Sequence, residues 1–324
     1  MDLVPLGRTG LLVPPLCFGT MSFGTTADDA ESARLYAACR DAGIFFFDTA
    51  DVYAGGRSEE ILGRLMANER DQLILASKGF GRMGDGPNDR GATRRHLTRA
   101  VEDSLERLDT DRLELYYVHQ FDPGTPIEET LDALNDLVRQ GSVLHVAVSN
   151  WAAWQIAKAL GIAALHGLAP IRAIQPMYNL VKRQAEVEIL PLAQEEGLAV
   201  MPYSPVGGGL LSGKYGRDRK PDGGRLIEND MYARRYGEAS YYEVAERFTE
   251  HARALEAHPV TLAVAWVRTH PAVTAPIIGA RNTDQLQPAL AAAEYELGPE
   301  ARAAVAALAP APAPAHDRSE VTGA

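Results

Sequence analysis

The chain has 324 residues, 46% of them hydrophobic and 23% charged, an ordinary composition with ample material for a large core. Its net charge of −11, with acidic and basic residues mixed along the chain, would repel a polyanion and argues against a nucleic-acid partner. No stretch approaches the roughly 18 uninterrupted apolar residues of a membrane helix, and the start "MDLVPLGRTGLLVPP" lacks the basic-then-apolar pattern of a secretory signal. Cys17 and Cys39 have no CxxC spacing and no His-rich neighbourhood, so they read as small core residues in a reducing cytoplasm rather than as disulfide or zinc ligands.

In chain order, "LVPLGRTGLLVP" reads as a hairpin around "RTG" that plugs the base of the fold. Eight short apolar runs then alternate with amphipathic stretches. The runs are "LCFGT" (16–20), "FFFDT" (45–49), "LILASK" (73–78), "LELYYVH" (113–119), "VLHVAVS" (143–149), "AIQP" (173–176), "LAVMPYS" (198–204) and "TAPIIG" (274–279). Several are apolar on both faces, as parallel strands covered by helices should be. Helical patterns lie between them, among them "DDAESARLYAACRDAG", "TRRHLTRAVEDSLERL" and "PIEETLDALNDLVRQG". The last has Pro at its start, acids in its first turn and Gly at its end, which punctuates a helix at both ends.

Eight strand–helix units predict a (β/α)8 TIM barrel over residues 1–309. The alternative, a doubly wound sheet, wants a GxGxxG turn after the first strand, and "FGTMSFGTT" does not supply one. Residues 205–237 are rich in glycine and charge and read as a long, functional or disordered loop after strand seven. The Pro/Ala-rich tail, 310–324, reads as extended or disordered.

Active sites of such barrels lie at the carboxyl ends of the strands. There the sequence puts Asp48, Lys78 and His119 on strands two to four, Ser149 and Asn150 after the fifth, Gln175 on the sixth, and Tyr203 and Ser204 on the seventh. Tyr53 reaches the same pocket from the loop after strand two. A phenol has a reference pKa near 10. An ammonium about 4 Å away supplies roughly 4 kcal/mol at an effective dielectric near 20. That predicts a tyrosine pKa lowered by up to ~3 units before solvent screening. Asp48 would keep Lys78 charged, and His119 would orient a carbonyl oxygen or share the proton relay. The set suits proton donation to an oxygen gaining negative charge, as in reduction of a carbonyl by hydride. Each residue also has a plain structural reading: a turn cap for Asp48, a solvated strand end for Lys78, packing for Tyr53. Asp48 and His119 as metal ligands are disfavoured by the lysine beside them, so no metal is expected.

The motifs "FFDTADVYAGGRSEEILG", "ASKGF", "YYVHQFDPGTPIEETLDAL", "VAVSNW" and "PYSPVGGGLLSGKY", in that order, resemble the signatures of the aldo-keto reductases. The resemblance runs through "APIIGARNTDQL" and covers nearly the whole chain. It implies a (β/α)8 barrel reducing aldehydes and ketones with NADPH (NADP rather than NAD), with Tyr53 as general acid, Lys78 and Asp48 assisting, and His119 positioning the carbonyl. It implies further that Ser149, Asn150 and Gln175 hold the nicotinamide carboxamide and that Tyr203 stacks on its ring. Gly19, Thr20, Met21 and Asp48 would complete the nicotinamide end. Ser204, Pro205, Gly207, Lys214 and Arg225 would follow the pyrophosphate, where backbone amides and cations suit phosphate. Ile278, Gly279 and Gln285 would add cofactor contacts, and Arg281 would meet a 2′-phosphate. The chain departs from the family at Pro288 and Ala289, where Glu-Asn often contacts adenine. Phe23, Tyr53, His119, Phe121 and Trp151 are the expected substrate pocket.

Two rival expectations stand beside the reductase. One is a cofactor-holding, redox-sensing subunit like the channel-associated relatives of this fold; the other is a structural barrel without cofactor. A small-molecule carbonyl substrate, with neither membrane nor nucleic acid, is the expected partner of the leading reading.

Overall fold

The computed structural model describes residues 1–316. Strands β1 (Val4–Pro5) and β2 (Leu12–Val13) form the expected antiparallel hairpin. Eight parallel strands come next: β3 (Cys17–Gly19), β4 (Phe46–Asp48), β5 (Ile74–Gly79), β6 (Leu113–Val118), β7 (Val143–Ser149), β8 (Ile171–Gln175), β9 (Ala199–Val200) and β10 (Ile277–Ile278). They lie in the order β10-β3-β4-β5-β6-β7-β8-β9. The circle closes through backbone bonds from Thr274 N to Val200 O (2.9 Å) and from Ile277 N to Pro202 O (2.9 Å). The fold is therefore the (β/α)8 barrel, with strands seven and eight shorter than the apolar runs suggest. Pro202 and Pro276 explain the shortening, since neither has an N–H to extend a ladder.

The helices are α1 (Asp29–Asp41), α2 (Arg57–Met66), α3 (Arg94–Leu108), α4 (Ile127–Gln140), α5 (Ala153–His166) and α6 (Ile189–Glu196). After β9 come α7 (Arg225–Glu228), α8 (Asp230–Tyr236), α9 (Ala239–Ala254) and α10 (Pro259–Arg268), and after β10 come α11 (Thr283–Leu290) and α12 (Pro299–Ala306). Their ends obey the punctuation in the sequence. Asp28 and Thr93 accept from Glu31 N and His96 N at the starts of α1 and α3, and Gly141 takes φ +83° after α4. Residues 205–237 are not one long loop: α7 and α8 lie within them, and Asn229 caps α8 by accepting from Met231 N and Tyr232 N. Of the tail, 310–314 have neither helix nor strand, and 317–324 lie outside the described residues. Among the described residues, no helix is long and apolar enough to cross a membrane.

Two cores fill the molecule. The larger lies between strands and helices; there Phe47 of β4 stacks on Tyr36 of α1 at 4.9 Å. The smaller fills the barrel: Cys17, Phe46, Ala76, Leu115, Tyr117, Ala147, Ala173, Ala199, Met201 and Ala275 pack with Leu6 and Val13 of the hairpin. Because so many of these inner side chains are small, the hairpin residues fit among them as the plug. Cys17 and Cys39 are both buried and unbonded.

Candidate active site

Side chains alternate across a strand, so a residue two positions beyond an inward-facing one also faces inward. Counting two on from Cys17, Phe46, Ala76, Tyr117, Ala147, Ala173 and Met201 gives Gly19, Asp48, Lys78, His119, Ser149, Gln175 and Tyr203. These form the floor above the inner core. The odd-looking run "FFFDT" obeys the same rule: Phe46 faces the barrel, Phe47 the helices, and Asp48 the floor.

Lys78 is fully buried and ion-paired with Asp48, and it also donates to Thr49 O at 2.7 Å and to Tyr53 Oη at 3.4 Å. Gln175 Nε2 donates to the other Asp48 oxygen at 2.8 Å. Burial works against the charge on Lys78, but attraction to Asp48 and Tyr53 outweighs it and holds the ammonium above its ordinary value. Burial raises the Asp48 carboxyl, with Lys78 and Gln175 pulling it back. The tyrosine differs from the sequence expectation. Burial lifts the Tyr53 phenol above its ordinary value, and the opposing pull of Lys78 does not overcome it. The lysine is close enough, yet the phenol sits where water is scarce and an anion is poorly solvated.

His119 meets Tyr53 edge-on, ring centres 6.1 Å apart. Burial first, and then Lys78, push its pKa down to about 3, so the ring is neutral at physiological pH. It can therefore present one N–H and one lone pair to a ligand oxygen. Asn150 adopts φ +59°, which turns the chain sharply after β7. Its amide thereby reaches His119 O (3.0 Å) and Ser149 Oγ (3.1 Å), while its oxygen accepts from Tyr203 Oη at 2.7 Å. Ser204, also at φ +59°, turns the chain after Tyr203 in the same way.

Above this floor opens a cavity of about 1260 Å³. Gly19, Met21, Asp48, Tyr53, His119, Phe121, Ser149, Asn150, Gln175 and Tyr203 line its inner part; Ser204, Pro205, Lys214, Arg225, Ile278, Gly279, Arg281 and Gln285 line the rest. Four expected contacts lie elsewhere. Thr20, one residue past an inward-facing position, points outward and bonds Ser58 Oγ at 2.8 Å. Phe23 is fully buried against Phe18, ring centres 5.9 Å apart, and belongs to the outer core rather than to a pocket. Trp151 backs the wall edge-on to Phe121 at 5.1 Å without lining the cavity. Gly207 is buried beside Tyr236, and its neighbours Gly208 and Gly209 line the cavity in its place.

The sequence reading missed Val52, Met231, Tyr232, Arg235 and His258, which also line the cavity. Met231 and Arg235, four apart on α8, had a detectable signal only if residues 229–236 had been read as a capped helix. Behind the floor it also missed a buried cluster in which Glu59 accepts from Ser77 and from Arg107 Nε (2.7 Å). Beside that cluster, neither Asp51 oxygen has a side-chain hydrogen-bond partner among the described residues, and burial with the nearby Glu59 pushes the carboxyl up to about 7. Among the described residues there is no cluster of three His, Cys, Asp or Glu able to hold a metal ion.

The sequence model of the aldo/keto reductase family matches residues 15–310. The uncharacterized oxidoreductase YrpG of Bacillus subtilis is 36% identical over 93% of this chain and 93% of its own length. A probable voltage-gated potassium channel subunit beta of Oryza sativa is 37% identical over 87% of this chain and 88% of its own. Aldo-keto reductase YhdN of Bacillus subtilis is 32% identical over 89% and 87%. Matched from the first barrel strand to the last helix, the chain belongs to the aldo/keto reductase family of oxidoreductases, whose members generally use nicotinamide cofactors.

Proposed function

We propose that this protein reduces aldehydes or ketones to alcohols with NADPH, Tyr53 giving the proton and His119 positioning the carbonyl oxygen. The observation that carries the reading is the Tyr53 hydroxyl, 3.4 Å from a fully buried lysine amine, on the floor of a cavity. The cavity suits a dinucleotide on two counts. Its volume of about 1260 Å³ exceeds what a drug-sized ligand needs, roughly 300–1,000 Å³. Among the described residues, Lys214, Arg225, Arg235 and Arg281 line it against the carboxylates of Asp48 and Asp284, in a chain of net charge −11, so phosphates are drawn to this cleft. Ser149, Asn150 and Gln175 would hold the carboxamide, Tyr203 would cover one ring face, Lys214 and Arg225 would meet the pyrophosphate, and Arg281 a 2′-phosphate.

When bound, the cofactor supplies a hydride to the carbonyl carbon. The chain's own residues handle the oxygen. Neutral His119 donates a hydrogen bond that fixes the carbonyl. Tyr53 then releases its proton to that oxygen as the C=O π bond becomes a C–O single bond. Lys78, kept charged by Asp48, stabilises the phenolate left behind. A raised resting phenol pKa keeps the donor protonated across neutral pH, and the ammonium eases its ionisation only as the proton departs.

The test is steady-state NADPH consumption over a panel of aldehydes, ketones and quinones. Multiple turnovers that vanish in Tyr53→Phe, with cofactor still quenching Trp fluorescence, support the reading. Tight NADPH binding without turnover on any of them would sink it. A second reading is favoured by the 36–37% identity to probable potassium channel beta subunits of rice and Arabidopsis thaliana. On that reading the chain holds the cofactor for a channel partner, and binding without turnover is its expected result.

A further inference from the structure

Helix α8 contributes Met231, Tyr232 and Arg235 to the lining of the cavity. The Tyr232 ring seats the helix: it lies so close to Gly208 that a Cβ there would meet it at 2.7 Å. The guanidinium of Arg235 lies 5.2 Å from the centre of that ring, and that of Arg225 5.0 Å. The two cations are thus within about 10 Å of each other, close enough for like charges to repel. Among the described residues neither has a carboxylate in ion-pairing range, whereas Arg281, also on the lining, is paired with Glu228 at 3.2 Å. Beyond the ring, the one hydrogen bond of Arg235 among the described residues is a weak 3.7 Å approach of Nη2 to Met231 Sδ.

The next residue, Tyr236, ties this end of α8 to the floor: Asn179 Nδ2 donates both to its hydroxyl (3.1 Å) and to Ser204 O (2.9 Å), beside Tyr203. Arg235 is also the charge that most favours ionisation of the Tyr203 phenol, and it acts likewise on Tyr236. Tyr203 Oη in turn bonds the Asn150 side chain that holds His119 O. Met21, Val52 and Phe121 add apolar side chains to the same lining, where Arg235 is a cation with no carboxylate partner among the described residues. A neutral substrate would leave that charge unmatched. An anionic one, repelled by the net −11 of the protein, needs such a local partner.

We propose that Arg235 receives a carboxylate on the substrate, so that the preferred substrates are aldehydes or ketones carrying a carboxylate on an apolar or aromatic frame. The inference rests on the reductase reading above and names its substrate class. A guanidinium suits this task because its fork matches carboxylate bidentately and stays charged at any working pH.

The test compares 4-carboxybenzaldehyde with its methyl ester, which keeps the shape and loses the charge. In the wild-type protein kcat/KM should favour the acid by about tenfold or more, and the preference should shrink as ionic strength rises. Arg235→Met should cost the acid at least tenfold more than the ester, and Arg235→Lys should restore part of the loss. Fluorescence titration with NADPH separates the other source of anionic oxygen. A drop in cofactor affinity as large as the loss in kcat/KM would assign Arg235 to a cofactor phosphate and overturn the inference. Turnover of both aldehydes without preference for the acid would overturn it alone, leaving the reductase reading intact; absence of turnover on these two and on the whole panel above would overturn both.

Discussion

Two ion pairs sit on this cavity, and they are built to opposite specifications. On the floor, the Lys78 and Asp48 side chains are 0% and 4% exposed, fixed on adjacent strands and joined by Gln175 and Thr49. On the rim, Arg281 and Glu228 are 30% and 53% exposed, and the acid belongs to the four-residue helix α7. A buried pair cannot be opened without stranding a charge, while an exposed pair contributes about 0–1 kcal/mol and yields readily to a better partner. The floor is thereby suited to chemistry that must not move, and the rim to contacts exchanged for a ligand's phosphate.

The sharpest break of the comparison is on the floor. Lys78→Met should lower kcat by ~10²-fold or more, the range expected when proton transfer loses its support. It should also destabilise the fold by about 3–5 kcal/mol, because Asp48 is left charged and buried. Adding Asp48→Asn should return much of the stability, read by denaturant midpoint, and none of the activity. If the double variant recovered turnover, the pair would be scaffolding and the contrast with the rim would fail.

The rim predicts smaller, selective effects. Arg281→Ala should raise KM for NADPH about tenfold or more, the worth of a charged hydrogen bond, and barely alter KM for NADH. Glu228→Gln should act in the opposite direction by a few-fold, since Arg281 no longer has a carboxylate to leave. Equal effects of Arg281→Ala on both cofactors would show that the guanidinium does not meet the 2′-phosphate.

The same contrast explains what the sequence could reveal. Strand ends are set by a two-residue period, so Asp48, Lys78, His119, Ser149, Gln175 and Tyr203 could be placed on one floor without coordinates. Phe23 and Thr20 were misplaced for a local reason: the chain leaves β3 in a turn, with Phe23 N bonded to Thr20 O at 2.9 Å, and the period ends there. The rim has no such ruler. Glycines at φ +62°, +66° and +106° (Gly207, Gly208, Gly209) let the chain run in directions no periodicity encodes. Helices α7 and α8 beyond them are too short to show an amphipathic pattern, so Met231, Tyr232 and Arg235 stayed hidden. The phenol's raised pKa was also illegible, because proximity to Lys78 comes from strand order whereas the depth of burial does not.

The smallest effect concerns a third carboxylate that neither ion pair explains. Asp51 lies three residues past Asp48, is fully buried, and among the described residues no side chain donates a hydrogen bond to either oxygen. Burial is the main reason its pKa rises from 3.8 to about 7, with Glu59 adding to it and the Val52 backbone N–H, Arg107 and Lys78 opposing. Because the folded state holds this proton more tightly than the unfolded chain, the contribution of the group to stability is complete below about pH 4. It is lost as pH rises through about 7. Asn keeps the shape and cannot ionise. The difference in Tm between Asp51→Asn and wild type should therefore move in favour of the variant from pH 5 to pH 8, corresponding to about 1–3 kcal/mol. A difference constant across that range would mean that Asp51 does not titrate in the folded protein, and that a partner of the kind Lys78 gives Asp48 is present there too.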